Sequence, residues 1–287
     1  MPYIFPRLQQ IISRGEDLPT LPTIVLQLHR VLDDPRAGPA RVAQVIEQDP
    51  ALTTRLLRVV NSAFFAGGGP RLTSVPAAVA KLGMNHIRST CLVMAVVKAF
   101  GKQSGRFDHE QFWAHSATVA ELASRLWARV GDERTVSSDD AYVVGLLHDV
   151  GLLVIDQHFP DELTELLLTR DDDSAPLATL EEAQMGIDHG AVAGLLLGRW
   201  SLPPFVADAV THHNHPKEAP AEFRQLAMVL AAVEAMCWEM DLGLPIEGRP
   251  VEPAAVWLRA LGVPAREVRG IIAETEEVHF QAAGFLA

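Results

Sequence analysis

The run Ala141-Tyr142-Val143-Val144-Gly145-Leu146-Leu147-His148-Asp149-Val150-Gly151-Leu152-Leu153-Val154-Ile155 decides how the rest of the chain is read. It is the longest apolar stretch in the sequence, and His148 and Asp149 interrupt its centre. The stretch is shorter than the ~20 residues that a bilayer-crossing helix needs, so no membrane span is expected. Ser137-Ser138-Asp139-Asp140 just before it supplies capping residues, and one helix is expected from Ala141 to about Ile155 with His148 and Asp149 in its middle. A helix that sinks a His-Asp pair into an apolar environment points to a pocket.

Outward from this run the same helical spacing recurs. Phe112, His115, Val119, Leu122 and Leu126 follow three- and four-residue steps, which places His115 on a buried stripe. Val42, Val45 and Ile46, then Leu52, Leu56, Leu57 and Val60, repeat the pattern, and clean period-two alternation is absent. The chain therefore reads as all-α. Breaks fall at Leu18-Pro19-Thr20-Leu21-Pro22, Asp33-Asp34-Pro35, Gly67-Gly68-Gly69-Pro70, Gly101 to Gly105, the charged loop Arg170 to Pro176, and Trp200-Ser201-Leu202-Pro203-Pro204. Asp49-Pro50 and Ser74-Val75-Pro76 both read as helix starts, the first with Asp as N-cap and Pro at N1. The last core helices begin at Leu226 to Met240. One helical unit is expected over about residues 1–105 and a second over 106–287.

A chain of 287 residues with 48% hydrophobic and 6% aromatic content has enough apolar surface for two packed cores. Met1 to Arg7 lacks the basic region and long apolar run of a secretion signal, so a cytoplasmic location is expected. Cys91 and Cys237 stand far apart without CxxC spacing, which argues for two buried thiols and against a disulfide framework or thiolate zinc site. The net charge of −12 is unevenly spread: residues 1–110 hold 13 basic against 8 acidic side chains, and residues 111–287 hold 11 against 28. The basic segment from Arg36 to Arg106 is opposed there only by Glu47 and Asp49. Without a recognition helix or stacking set, it reads as a solvated face or a lobe contact, and nucleic acid is not the expected partner. Asn61 before Phe64-Phe65 and Gly67-Gly68-Gly69 reads as a helix-end cap beside packing rings.

His115, the pair His148-Asp149, His189 after Ile187-Asp188, and the pair His212-His213 fall on four successive helical segments, each beside apolar residues. A helical bundle builds a metal site from inward side chains in this way. Imidazoles with a carboxylate suit Fe, Mn or Zn, and a carboxylate between two ions can bridge them.

With these motifs the sequence resembles the HDOD (HD-related output domain) family. The resemblance rests on His115, His148-Asp149-Val150-Gly151, Gly186-Ile187-Asp188-His189-Gly190-Ala191-Val192-Ala193-Gly194, Trp200-Ser201-Leu202-Pro203 and His212-His213. The first half matches through Leu18-Pro19-Thr20-Leu21-Pro22, Gln48-Asp49-Pro50-Ala51-Leu52-Thr53, Leu56 to Phe65, and Val75 to Gly83. It implies an all-α, two-lobed helical bundle whose C-terminal lobe is HD-domain-like, found in bacteria mostly in signalling contexts. The related HD and HD-GYP phosphohydrolases hold metals with a His, His-Asp, His and Asp set and cleave phosphoesters, including cyclic dinucleotides. Carried over, the resemblance implies a metal set of His115, His148, Asp149, His189, His212 and His213. The acidic ligand of the last helix falls at Glu234, with Val233 as the alternative register.

The departures shape the functional expectation. HD-GYP enzymes read His-Asp-Ile-Gly-Lys; this chain has Leu152 after Gly151, so a phosphate-neutralising cation is missing, and the GYP signature is absent. The leading expectation is a signalling module that acts on another signalling protein, gated by one or two divalent ions or a nucleotide ligand in the His148-Asp149 pocket, with no catalytic residue assigned. The alternative is a metal-dependent phosphohydrolase acting on a nucleotide or cyclic dinucleotide. A structural core of hydrogen-bonded histidines is the third reading.

Overall fold

The computed structural model describes residues 4–14, 18, 23–32, 34, 36–61, 71–100, 108–169, 175–267 and 269–271. Every regular element among the described residues is helical, as the periodicity requires. Among the described residues the chain divides into two compact units, one within residues 19–100 and one that joins residues 4–18 to 108–271.

The first unit follows α1 (Phe5–Arg14) in the chain and comprises α2 (Thr23–Leu32), α3 (Pro39–Ile46), α4 (Pro50–Val60), α5 (Val75–Leu82) and α6 (Met84–Phe100). Leu28, Val42, Ile46, Leu56, Val60, Val79, Ile87 and Cys91 close a common core. Each fully buried Leu or Ile there contributes about 1.5–3 kcal/mol. The helix starts follow the sequence signals: Asp49 Oδ1 accepts the Leu52 N–H at 3.0 Å, and Ser74 Oγ accepts that of Ala77 at 3.4 Å. Asn61 closes the end of α4 as expected of a cap. Its amide donates to Leu57 O at 2.6 Å and Leu72 O at 2.7 Å, and its Oδ1 accepts the Leu72 N–H at 2.7 Å.

The second unit holds α1 together with α7 (His109–Val130), α8 (Ser138–Leu147), α9 (Val150–His158), α10 (Pro160–Thr169), α11 (Leu177–Met185), α12 (His189–Arg199), α13 (Pro204–Thr211), α14 (Arg224–Glu239) and α15 (Ala254–Ala260). The sequence-based division at 105/106 placed the first helix with the first lobe, whereas α1 packs in the second unit. Ile4 and Leu8 are fully buried, the Ile4 N–H donates to Met185 O at 3.0 Å, and Arg7 pairs with Glu162 at 2.6 Å. A ten-residue amphipathic helix must bury its stripe somewhere, and sequence spacing does not say against what.

The expected helix over 141–155 is two helices. A capping box between Ser137 and Asp140 starts α8, which ends at Leu147, and α9 begins at Val150. Asp149, at φ −104° and ψ 8°, turns the chain between them. The apolar run is continuous because both helices are buried on all sides, so hydropathy carries no mark of the bend. The expected features at Pro19 to Pro22, Phe64-Phe65, Gly67 to Pro70, Gly101 to Gly105 and Arg170 to Ser174 lie outside the described residues. No helix among the described residues is long and apolar enough to cross a membrane.

Replacing Asn61 by Ala leaves two backbone carbonyls and one N–H without their partner. The first unit should lose about 1–3 kcal/mol, read as a lower urea midpoint at unchanged slope.

Candidate metal centre

The bend between α8 and α9 sits at the middle of the second unit because three glycines let helices approach closely. A Cβ on Gly145 would lie 2.7 Å from Ala120 Cα, which presses α8 onto α7. On Gly151 it would lie 1.9 Å from His189 O, and on Gly194 it would meet Thr211 Oγ1. These contacts bring α9, α12 and α13 together around Asp149. Asp188 caps α12, its Oδ1 accepting the Ala191 N–H at 2.8 Å, and so fixes His189 in the first helical turn.

Four imidazoles surround Asp149, and each is held from behind by its Nδ1. His115 Nδ1 donates to Leu242 O at 3.1 Å, His148 Nδ1 to Gly145 O at 2.6 Å and His213 Nδ1 to Val210 O at 2.7 Å. His189 Nδ1 donates to Glu181 Oε2 at 2.6 Å, and the same oxygen accepts the His189 backbone N–H at 2.8 Å. A carbonyl only accepts, so the proton sits on Nδ1 and Nε2 is directed inward in every case. His148 Nε2 lies 3.0 Å from Asp149 Oδ2, and the Nε2 atoms of His189 and His213 lie 3.4 and 3.5 Å from Asp149 Oδ1. The ring centroids of neighbouring histidines are 5.3–5.6 Å apart.

Asp149 has no exposed surface, and neither carboxylate oxygen has a partner in hydrogen-bond geometry; the same is true of His148 Nε2. A buried charge without hydrogen bonds costs several kcal/mol. His115 Nε2 is hydrogen-bonded to Glu234 Oε1 at 3.1 Å, and His189 Nε2 accepts from Asn214 Nδ2 at 3.1 Å. The unbonded atoms of His148 and Asp149 converge as a ligand set does, and the outward Nδ1 bonds are the supports that metal-ligating histidines use.

Two sets share Asp149. Ligand-capable atoms of His115, His148, Asp149 and Glu247 lie within 4.8 Å of one another, as do those of Asp149, His189 and His213. Glu234 enters from α14, its Oε1 3.1 Å from His115 Nε2 and 2.9 Å from His148 Nε2, while Val233 is buried in the core. Of the expected residues, His115, His148, Asp149, His189, His213 and Glu234 come together. His212 does not: it caps the end of α13 half-buried, with Nδ1 donating to Asp208 O at 2.8 Å. Adjacent residues at a helix end face different ways, so one member of the His212-His213 pair was bound to miss the centre.

The sequence reading missed Glu181 and Glu247. Glu181 is fully buried on α11, eight residues before His189, with nothing in its helix to set it apart from the neighbouring Glu182. Glu247 comes from a helix-free segment and carries no periodic signal.

The electrostatics follow from this crowding. Burial alone lowers the histidines, but Glu181 outweighs it at His189 and raises its pKa to about 9. Burial is likewise overcome at His148, raised well above the ordinary value by Asp149 and Glu234, and at His115, raised by Glu234. Asp149 is held well below the usual carboxylate range against its burial, chiefly by His148, and Glu234 is lowered by His115 and His148. Glu247 moves the other way, raised well above its usual value by burial and by the charges of Asp149 and Glu234. Protons on the imidazoles thus do the work a cation would do.

The fold and this centre define an all-helical protein with a buried His/Asp cluster compatible with a metal site. The HDOD domain model matches residues 18–216, and the chain belongs to that family. It is 28% identical over 240 residues to an uncharacterized protein of Treponema pallidum (strain Nichols), covering 84% of this chain and 46% of that one. The chain therefore spans about half the length of that curated relative. Among solved structures it is similar to an HDOD domain protein with unknown function from Geobacter sulfurreducens, at 28% identity and a TM-score of 0.75, with 94% of this chain and 96% of that one covered. It is also similar to a "Putative phosphohydrolase" from Shewanella amazonensis SB2B, at 25% identity and a TM-score of 0.75, with 97% and 96% covered.

Gly151→Ala forces its methyl into the His189 carbonyl. The expected cost is about 1–3 kcal/mol or more in thermal or denaturant unfolding, with α9 displaced from α12. The pKa of His189 sets a second expectation. Raised from 6.5 to about 9, it stabilises the metal-free fold fully below pH 6.5 and loses that contribution as pH rises through 9. The melting temperature of chelator-treated protein should fall across this window, while affinity for a divalent ion rises as the ligands shed protons.

Proposed function

We propose that this chain is a regulatory module of signal transduction that holds one or two divalent ions, of the Fe, Mn or Zn class, at Asp149, and acts through contact with another protein. The observation that carries this reading is the buried, unbonded Asp149 carboxylate faced by three Nε2 atoms, those of His148, His189 and His213. His115, His148, Asp149 and Glu247 offer one ion four protein ligands, the closed arrangement typical of sites that stabilise or sense. Leu152, where HD-GYP enzymes carry Lys, is fully buried and brings no charge to a phosphate.

The second reading, a metal-dependent phosphohydrolase acting on a nucleotide or cyclic dinucleotide, is favoured by the other ligand set. Asp149, His189 and His213 give three ligands and leave a position open. His189 and His213 also line a cleft that opens to solvent. An ion there supplies Lewis acidity to water and to a phosphoester oxygen. The name carried by the Shewanella amazonensis neighbour belongs to this reading.

Elemental analysis of the purified protein should find Fe, Mn or Zn at one or two ions per chain. His148→Ala should lower affinity by at least about 100-fold with an unchanged helical circular dichroism spectrum. Metal-loaded protein should not turn over a generic phosphodiester such as bis(p-nitrophenyl) phosphate; turnover that disappears in His148→Ala would replace the regulatory reading with the hydrolase.

A further inference from the structure

After α14 the chain runs through residues 241–253 without a helix before α15 begins at Ala254. This strap crosses the metal centre. Its base is closed by the Ala254 N–H donating to Glu239 Oε1 at 2.9 Å. Leu242 O takes the Nδ1 proton of His115, Glu247 O accepts the Leu177 N–H at 2.9 Å, and the Leu244 side chain is buried. Asp241 and Gly248 turn it with φ of 56° and 71°, and at Gly248 the left-handed backbone suits the absent Cβ. Between these turns the Glu247 carboxylate enters the group formed with His115, His148 and Asp149, 4.0 Å from His115 Nε2.

The other side of the strap faces out. Arg249, Pro250, Val251 and Glu252 form one wall of the cleft that His189 and His213 line. Val251 is 67% exposed and Trp238 beside it 36%, with the Arg249 guanidinium 5.6 Å from the Trp238 ring. The same short segment thus carries a ligand-capable side chain at one end of its reach and exposed apolar surface at the other.

We infer that Glu247 is a metal ligand through which occupancy of the centre sets the position of strap 241–253, making the surface around Trp238 and Val251 the part of the protein that reports the bound ion. The inference rests on the metal reading above. Asp149, Glu234 and Glu247 bring three carboxyl groups into one pocket, and a cation draws them to a common point. The helix-borne groups cannot retreat, because their helices are locked by core packing and by the glycine contacts. The strap is held by few main-chain bonds, so it is the part free to respond. Ion binding therefore pins the strap, and ion loss releases it.

Hydrogen–deuterium exchange of the full chain, with Mn²⁺ or Zn²⁺ as the only additive, tests this. In the unaltered protein, saturating ion should slow exchange of residues 241–253 by about tenfold or more. In Glu247→Ala and in the isosteric Glu247→Gln, the ion should still protect the segments around His148 and His189 while the strap exchanges as in metal-free protein. Equal slowing of the strap in the wild type and both variants overturns the role of Glu247 and leaves the metal reading standing. Failure of any ion to bind the wild type overturns both.

Discussion

The carboxylate of Asp149 is the constraint around which the second unit is organised. It has no solvent and no hydrogen bond of good geometry, a state that costs several kcal/mol and is not retained for packing alone. Everything near it compensates: the chain bends to present it, three glycines let the surrounding helices close in, and three imidazoles turn the same nitrogen toward it. The Nδ1 acceptors behind those rings are mostly main-chain carbonyls at helix ends, so the helical framework itself fixes the tautomers.

The same crowding gathers several acidic residues of the C-terminal part. Glu181, Glu234 and Glu247 join Asp149 within one unit, and three of the four carboxyl groups, those of Asp149, Glu181 and Glu234, lie against imidazoles and raise them, while Glu247 is driven to keep its proton. Such a pocket is built for positive charge from outside. Among the described cations of the first unit, Arg36, Arg41, Arg71 and Lys81 are exposed, consistent with a solvated face.

Much of this was legible before any coordinates. Helical spacing gave the all-α class, and Asp49, Ser74, Asn61 and Ser137 act as the caps that their chemistry implies. Histidines set among apolar residues identified the pocket, and five of the six expected histidine or aspartate ligands converge. The failures have a common form. The bend at His148-Asp149 was hidden because both flanking helices are buried all round, and Glu181 looks like any other glutamate on a helix. Glu247 sits in a segment with no period to read, and His212 differs from His213 only in the direction it faces at the end of α13.

The sequence by itself determined the helices, their caps and the residue types that can hold a cation, because these depend on local hydrogen bonding and on i to i+4 spacing. Tertiary structure alone decided which unit hosts α1, which of two adjacent histidines points inward, and that a carboxylate from a helix-free strap completes the cluster around Asp149. Those outcomes depend on how helices pack across long separations in the chain, where a close contact such as Gly151 against His189 sets how α9 meets α12.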